Sequence, residues 1–154
     1  MSTIPQETQL LRKMVKADLP QLLAIEQSTQ GAPWNEETFK SCFDQAFEGW
    51  VLMNGDRIIG YIVLGMKADE CHILNLCVAR EYQRKGFGQK LLEHGLYEAR
   101  LRKTGIAYLE VRRSNSRAIA LYTRYQFRMI GERRDYYQTV SGPEDALVFA
   151  VSLK

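Results

Sequence analysis

Asn75-Leu76-Cys77-Val78-Ala79-Arg80-Glu81-Tyr82-Gln83-Arg84-Lys85-Gly86-Phe87-Gly88-Gln89-Lys90-Leu91-Leu92 is the stretch on which the reading of this chain turns. An apolar run over residues 73–78 ends in a polar turn carrying two glycines and the basic pair Arg84 and Lys85, and an amphipathic pattern begins at Leu91. This order reads as strand, anion-binding loop, helix.

The first turn of a helix has backbone N–H groups without intrahelical acceptors and lies at the positive end of the helix dipole, so anions bind there. Gly86 and Gly88 let the backbone approach a ligand and permit positive φ. Two familiar phosphate signatures are excluded. A Walker loop needs four residues between its first glycine and a Gly-Lys-Ser/Thr, and a Rossmann turn needs a third glycine where Leu91 stands. A Gly-x-Gly alone also fits an ordinary turn that opens a helix.

The chain has 154 residues, the length of a single domain spanning 1–154, enough to bury roughly 70% of the unfolded surface. With 45% hydrophobic and 25% charged residues it is neither a disordered nor a membrane composition. The longest apolar run, residues 58–66, is interrupted by two glycines and falls far short of the roughly 20 residues that span a bilayer. The polar N-terminus lacks a signal core, which makes the cytoplasm the expected compartment. Cys42, Cys71 and Cys77 are odd in number and lack Cys-x-x-Cys spacing, so a disulfide scaffold and a zinc site are both disfavoured and no metal is expected. A charge of +3 is mild, and the basic residues are spread along the chain, so nucleic acid is not the expected partner. Arg84, Lys85 and Lys90 suit a polyphosphate ligand instead.

Along the chain, residues 9–15 read as a first strand. Asp18 caps a helix with Pro20 in its first turn, and Gly31-Ala32-Pro33 ends that helix. Asn35 caps the next, with Glu36 and Glu37 in its first turn and Phe39, Cys42 and Phe43 as the buried stripe. Strands over 50–53 and 57–64 are joined by the hairpin signal Asn54-Gly55-Asp56. A third strand of this antiparallel meander, 70–78, feeds the glycine loop and a helix reaching about Lys103. Residues 106–112 form a strand, and Ser114 and Asn115 cap a helix whose Ala118, Leu121, Tyr122 and Tyr125 share a face. Strands over 128–134 and 146–153, with Gly142-Pro143 in the turn between, close the chain. The strand, helix, strand order from 70 to 112 requires a right-handed crossover. His72 and His94 read as surface or core residues rather than ligands.

Gln83-x-x-Gly86-x-Gly88 resembles the acyl-CoA pyrophosphate loop of the GNAT acetyltransferases. A second stretch extends the likeness: Leu109-Glu110-Val111-Arg112-Arg113-Ser114-Asn115, then Ala118-Ile119-Ala120-Leu121-Tyr122, then Tyr125-Gln126-Phe127. With Pro33-Trp34, the tail Arg133-Arg134-Asp135-Tyr136-Tyr137 and Glu144-Asp145-Ala146, the chain resembles the RimI branch of that superfamily, the bacterial ribosomal-protein N-terminal alanine acetyltransferases. The resemblance implies an α/β GNAT fold: a mixed, mostly antiparallel sheet of six to seven strands with about four helices. It implies acetyl transfer from acetyl-CoA to the N-terminal alanine of the eighteenth protein of the small ribosomal subunit. A monomer is expected. It assigns Glu110 as general base and Tyr122 as general acid. Leu76, Cys77 and Val78, then Arg84, Lys85, Gly86, Phe87, Gly88 and Gln89, and Asn115 match the positions that bind acetyl-CoA. Because that substrate continues into a basic segment, Glu36, Glu37, Glu144 and Asp145 are candidates for an acidic groove.

The chemistry agrees. An amine attacks a thioester only when neutral, and an α-amino group with pKa about 8 is roughly a tenth neutral at pH 7, against far less for lysine at about 10.4. Glu110 can accept the proton directly or through water, and burial on a strand is expected to raise its pKa toward the useful range. Tyr122, protonated at neutral pH, can supply a proton to the leaving thiolate. Plainer readings stand beside these: Glu110 as a glutamate on a solvated strand face, Tyr122 as a core tyrosine, Asn115 as a simple N-cap. Alternatives are a GNAT enzyme acting on another protein N-terminus, a lysine or a small amine, and a CoA-binding sensor or partner subunit without turnover.

Overall fold

The computed structural model describes residues 9–154, which contain seven strands and four α-helices. In chain order these are β1 (Gln9–Lys13), α1 (Leu19–Thr29), α2 (Glu36–Asp44), β2 (Glu48–Asn54), β3 (Arg57–Lys67), β4 (Glu70–Val78), α3 (Phe87–Leu101), β5 (Ile106–Arg112), α4 (Ser116–Arg124), β6 (Arg128–Thr139) and β7 (Gly142–Ser152). The strands form one sheet in the order β1-β2-β3-β4-β5-β7-β6. β4 and β5 pair in parallel, as a helical crossover demands, and the β1–β2, β2–β3, β5–β7 and β6–β7 pairs are antiparallel. This is the mixed sheet expected from the sequence. No helix among the described residues is long and apolar enough to cross a membrane.

The described residues cluster into two compact units, one holding residues 9–64 and Asn75–Glu93, the other Gly65–Leu74 and His94–Lys154. No linker divides them: β3, β4 and α3 each contribute residues to both.

In the first unit the hairpin turn places Gly55 at φ +63, as its Asn-Gly-Asp sequence requires. Leu22 and Ile25 of α1, Phe39 of α2, Val51 of β2, Ile58 and Tyr61 of β3 and Cys77 of β4 form its core. Gly60 permits close strand passage, since a Cβ there would lie 2.9 Å from both the Cys77 carbonyl oxygen and Leu91 Cδ1. Two local expectations change. Strand β1 ends at Lys13, and Asp18 does not cap α1 with its side chain. Its carboxylate instead accepts the Val15 N–H at 2.8 Å and pairs with Arg12 at 2.8 Å, closing the 3₁₀ turn Lys16–Asp18 that precedes the helix. Asn35 behaves as read, accepting the Thr38 N–H at 2.9 Å, but only Phe39 of the stripe is fully buried.

In the second unit β5 alternates largely but not fully buried Ile106, Tyr108, Glu110 and Arg112 with buried Ala107, Leu109 and Val111. The β4–β5 pairing covers only Glu70–His72 against Ile106–Tyr108. Glu110 therefore lies two residues beyond the end of that ladder. Strand β6 runs to Thr139, five residues past its expected end, and Gly142 and Pro143 open β7 rather than forming the turn. A register shift between Arg133 and Tyr137, with Asp135 at φ +52, kinks β6 and re-aims its side chains.

Candidate active site

The phosphate-loop residues belong to the first unit. Gln83 ties the loop to its strand by donating Nε2–H to the Val78 carbonyl at 2.9 Å. Arg84, at φ +62, and Gly86, at φ +86, then turn the chain into α3. Nothing lies within 4 Å of the position a Cβ on Gly86 would occupy. The first intrahelical bond runs from the Lys90 N–H to the Gly86 carbonyl, so the amides of Phe87, Gly88 and Gln89 form the first turn before it. Exposed Arg84 and Lys85 stand beside this turn. The open side of Gly86, the early helix amides and the two cations fit a polyphosphate.

Two side chains of the set are turned into the protein. The Phe87 side chain is buried, and Cys77 points into the core, where its Sγ lies 2.9 Å from Thr29 Oγ1 and burial pushes its thiol up to about 11. Leu76 and Val78 lie on the opposite, half-exposed face of β4. Gly88 sits within the helix rather than at positive φ, so its value is close approach and not backbone freedom. Replacing it with valine is expected to weaken CoA binding about tenfold, since a β-branched side chain obstructs the first turn. Titration calorimetry with CoA reads the change; an unaltered dissociation constant in a folded variant would put the phosphates elsewhere.

The candidate acid–base residues belong to the second unit. Glu110 has a side chain only 7% exposed, and both its oxygens are engaged: His72 Nε2 lies 2.6 Å from Oε1 and Arg133 Nε donates to Oε2 at 3.3 Å. Burial alone would lift its pKa, but the His72 hydrogen bond and charge, joined by Arg133, outweigh burial and hold the carboxyl below its usual value. This reverses the direction expected from strand burial. The carboxylate is ionised at neutral pH.

Tyr122 of α4 is buried, its ring 5.6 Å from Phe127. Burial above all holds the Tyr137 phenol above its ordinary value, with Tyr136, Glu110 and Tyr122 adding in the same direction. Asn115 caps α4, its Oδ1 accepting the Ala118 N–H at 3.2 Å, which leaves the side-chain NH2 as the group it can offer a ligand. The residues missed by sequence reading are His72, Arg133 and Tyr137. Arg133 and Tyr137 stood in the tail that carries the resemblance without a role, and what brings His72 and Arg133 to Glu110 is register: His72 is opposite Tyr108 in the β4–β5 ladder, and Arg133 is opposite Ala146, itself opposite Arg112.

Three of the four acidic-groove candidates are already engaged within the fold. Glu36 pairs with Lys40 at 2.8 Å. Glu144 pairs with Arg112 at 3.1 Å and accepts the Ser114 N–H at 2.8 Å, while Asp145 accepts the Asp135 N–H at 2.9 Å.

The chain belongs to the acetyltransferase (GNAT) family, which it matches over residues 18–127. It is an N-acetyltransferase. It is 37% identical over 136 residues, 88% of this chain and 92% of the relative, to the [ribosomal protein bS18]-alanine N-acetyltransferase of Escherichia coli K12. The crystal structure of the ribosomal-protein-S18-alanine N-acetyltransferase from Escherichia coli superposes with a TM-score of 0.88 at 34% identity, covering 95% of this chain and 94% of that one. The same fold occurs in Arabidopsis thaliana NAA60 in complex with acetyl-CoA, with a TM-score of 0.84 at 19% identity over 94% and 98% of the chains.

Proposed function

We propose that the chain transfers the acetyl group of acetyl-CoA to the α-amino group of an N-terminal alanine, that of ribosomal protein bS18, as a single-domain cytoplasmic monomer without a metal, nucleic-acid or membrane partner. The observation that carries the reading is Glu110, a carboxylate withdrawn from solvent yet ionised at neutral pH. Glu110 takes the proton of the attacking amine and Tyr122 gives one to the departing thiolate. Arg84, Lys85 and the amides of Gly86, Phe87, Gly88 and Gln89 hold the pyrophosphate, the backbone of Leu76, Cys77 and Val78 holds the pantetheine arm, and Asn115 adds a donor.

An ionised carboxylate with a depressed pKa suits an amine that is already partly neutral, which favours an α-amino group over lysine. Incubation with acetyl-CoA and a thiol reagent tests this. Thiol release is expected with an Ala-starting peptide and is expected to be absent with the same peptide Nα-blocked and carrying an internal lysine. Equal release from both would overturn the N-terminal assignment, and tight CoA binding without release from either would make the protein a sensor. Tyr122→Phe removes one hydroxyl and is expected to slow thiol release by about 10²-fold with little loss of melting temperature. Early melting at an unchanged rate per folded molecule would make Tyr122 a packing residue.

A further inference from the structure

His72 is the neighbour of Glu110 that neither the glycine loop nor the assigned acid–base pair accounts for. It stands opposite Tyr108 at the last pair of the β4–β5 ladder, and its ring stacks on Tyr108 with centroids 4.3 Å apart and planes at 15°. The stack fixes the plane of the imidazole, so that Nε2 reaches Glu110 Oε1 at 2.6 Å. A carboxylate is an acceptor only, so Nε2 carries the hydrogen and donates it. The opposite oxygen is held more loosely, by a half-exposed arginine at 3.3 Å. The imidazole is 25% exposed against 7% for the carboxylate.

We propose that His72 is a positioning residue for acetyl transfer: its Nε2–H clamps Oε1 of Glu110, fixes the carboxylate plane and leaves Oε2 as the oxygen that takes the amine proton. The inference rests on the reading of Glu110 as base. In the step itself the amine nitrogen bonds to the acetyl carbon as the thioester carbon–sulfur bond breaks, the amine proton passes to Oε2, the CoA thiolate leaves with a proton from Tyr122, and His72 keeps its own hydrogen throughout.

The test is steady-state kinetics of the full chain with acetyl-CoA and an Ala-starting peptide, for the parent, His72→Gln and His72→Phe, with Glu110→Gln alongside. Glutamine can donate in place of Nε2, so His72→Gln is expected to stay within about threefold of the parent kcat. Phenylalanine preserves the stack on Tyr108 but has no donor, and His72→Phe is expected to lose about tenfold in kcat, with KM for both substrates within about twofold, while melting with the parent. A His72→Phe as fast as the parent, or a His72→Gln as slow as His72→Phe, overturns the proposal while a slow Glu110→Gln leaves the base reading standing. A Glu110→Gln with parental kcat overturns both.

Discussion

Glu110→Gln is expected to lower kcat by about 10² to 10⁴-fold while leaving acetyl-CoA affinity within about twofold. The substitution keeps the size and shape of a side chain that is 7% exposed, so the packing of β5 survives. It removes the only charge on that side chain and with it the capacity to take a proton. One local cost is foreseeable. An amide that keeps its oxygen toward His72 turns its NH2 toward Arg133, placing donor against donor at a contact now 3.3 Å long. Arginine 133 is half-exposed and can swing to water, so this is a minor loss of stability. The same variant should be less sensitive to acid. The folded pKa of Glu110 lies below its ordinary value, so its stabilising contribution is present above the unfolded value of about 4.3 and disappears as pH falls through the folded value. Glutamine has no such loss. Steady-state kinetics with an Ala-starting peptide, calorimetric CoA titration and acid unfolding read the three consequences. A near-parental kcat would show that another group accepts the proton.

The fate of Glu110 also marks where sequence reading stops. Its place on a half-exposed face of β5 follows from a period-2 pattern, and the bounds of β4 and β5 were legible to the residue because each strand alternates buried and half-buried side chains between clear turns. Asn35 and Asn115 were legible as caps because an N-cap is a local bond across three residues. The direction of Glu110's pKa was not. It depends on His72, brought alongside by a parallel register across a helical crossover, and on Arg133, brought alongside through β7. Register between distant strands is set by the packing of whole elements and leaves no mark on either strand alone. Strand β6 shows the same limit from the other side. As an edge strand it is exposed over nearly its whole length, so nothing in its apolar pattern announces that it continues through the kink at Asp135 to Thr139. In the glycine loop, Gly86 could be read as a positive-φ residue and is one, whereas Arg84 at φ +62 carries no glycine to betray the turn.

Glu26→Ala is expected to cost the first unit about 3 to 5 kcal/mol, the largest stability loss foreseen for a single side chain here. Glu26 is 1% exposed on α1 and joins three elements. Its Oε2 accepts the Trp34 N–H at 2.9 Å, and its Oε1 accepts the Tyr61 hydroxyl at 2.5 Å and the Asn75 Nδ2–H at 2.9 Å. The carboxylate thus pins the connection between α1 and α2 to β3 and β4. Alanine leaves a void and strands those donors out of reach of water, and each unmet donor costs about 1 to 3 kcal/mol. Glutamine is the control: it can still accept from Tyr61 and Asn75 but presents an NH2 to the Trp34 N–H, so Glu26→Gln is expected to cost only about 1 to 2 kcal/mol. The penalty should also depend on pH. Burial holds the Glu26 pKa above its ordinary value, more than its three donors pull it down. A carboxyl whose folded pKa is raised contributes most below its unfolded value of about 4.3 and loses that contribution as pH rises through the folded value. Alanine at 26 should therefore cost more at pH 5 than at pH 8. Urea unfolding of the parent and both variants at the two pH values provides the measurement, with the slope of the transition checked for constancy. An alanine penalty below about 1 kcal/mol, or one that grows with pH, would show that Glu26 is a tolerated charge rather than the tie between these elements.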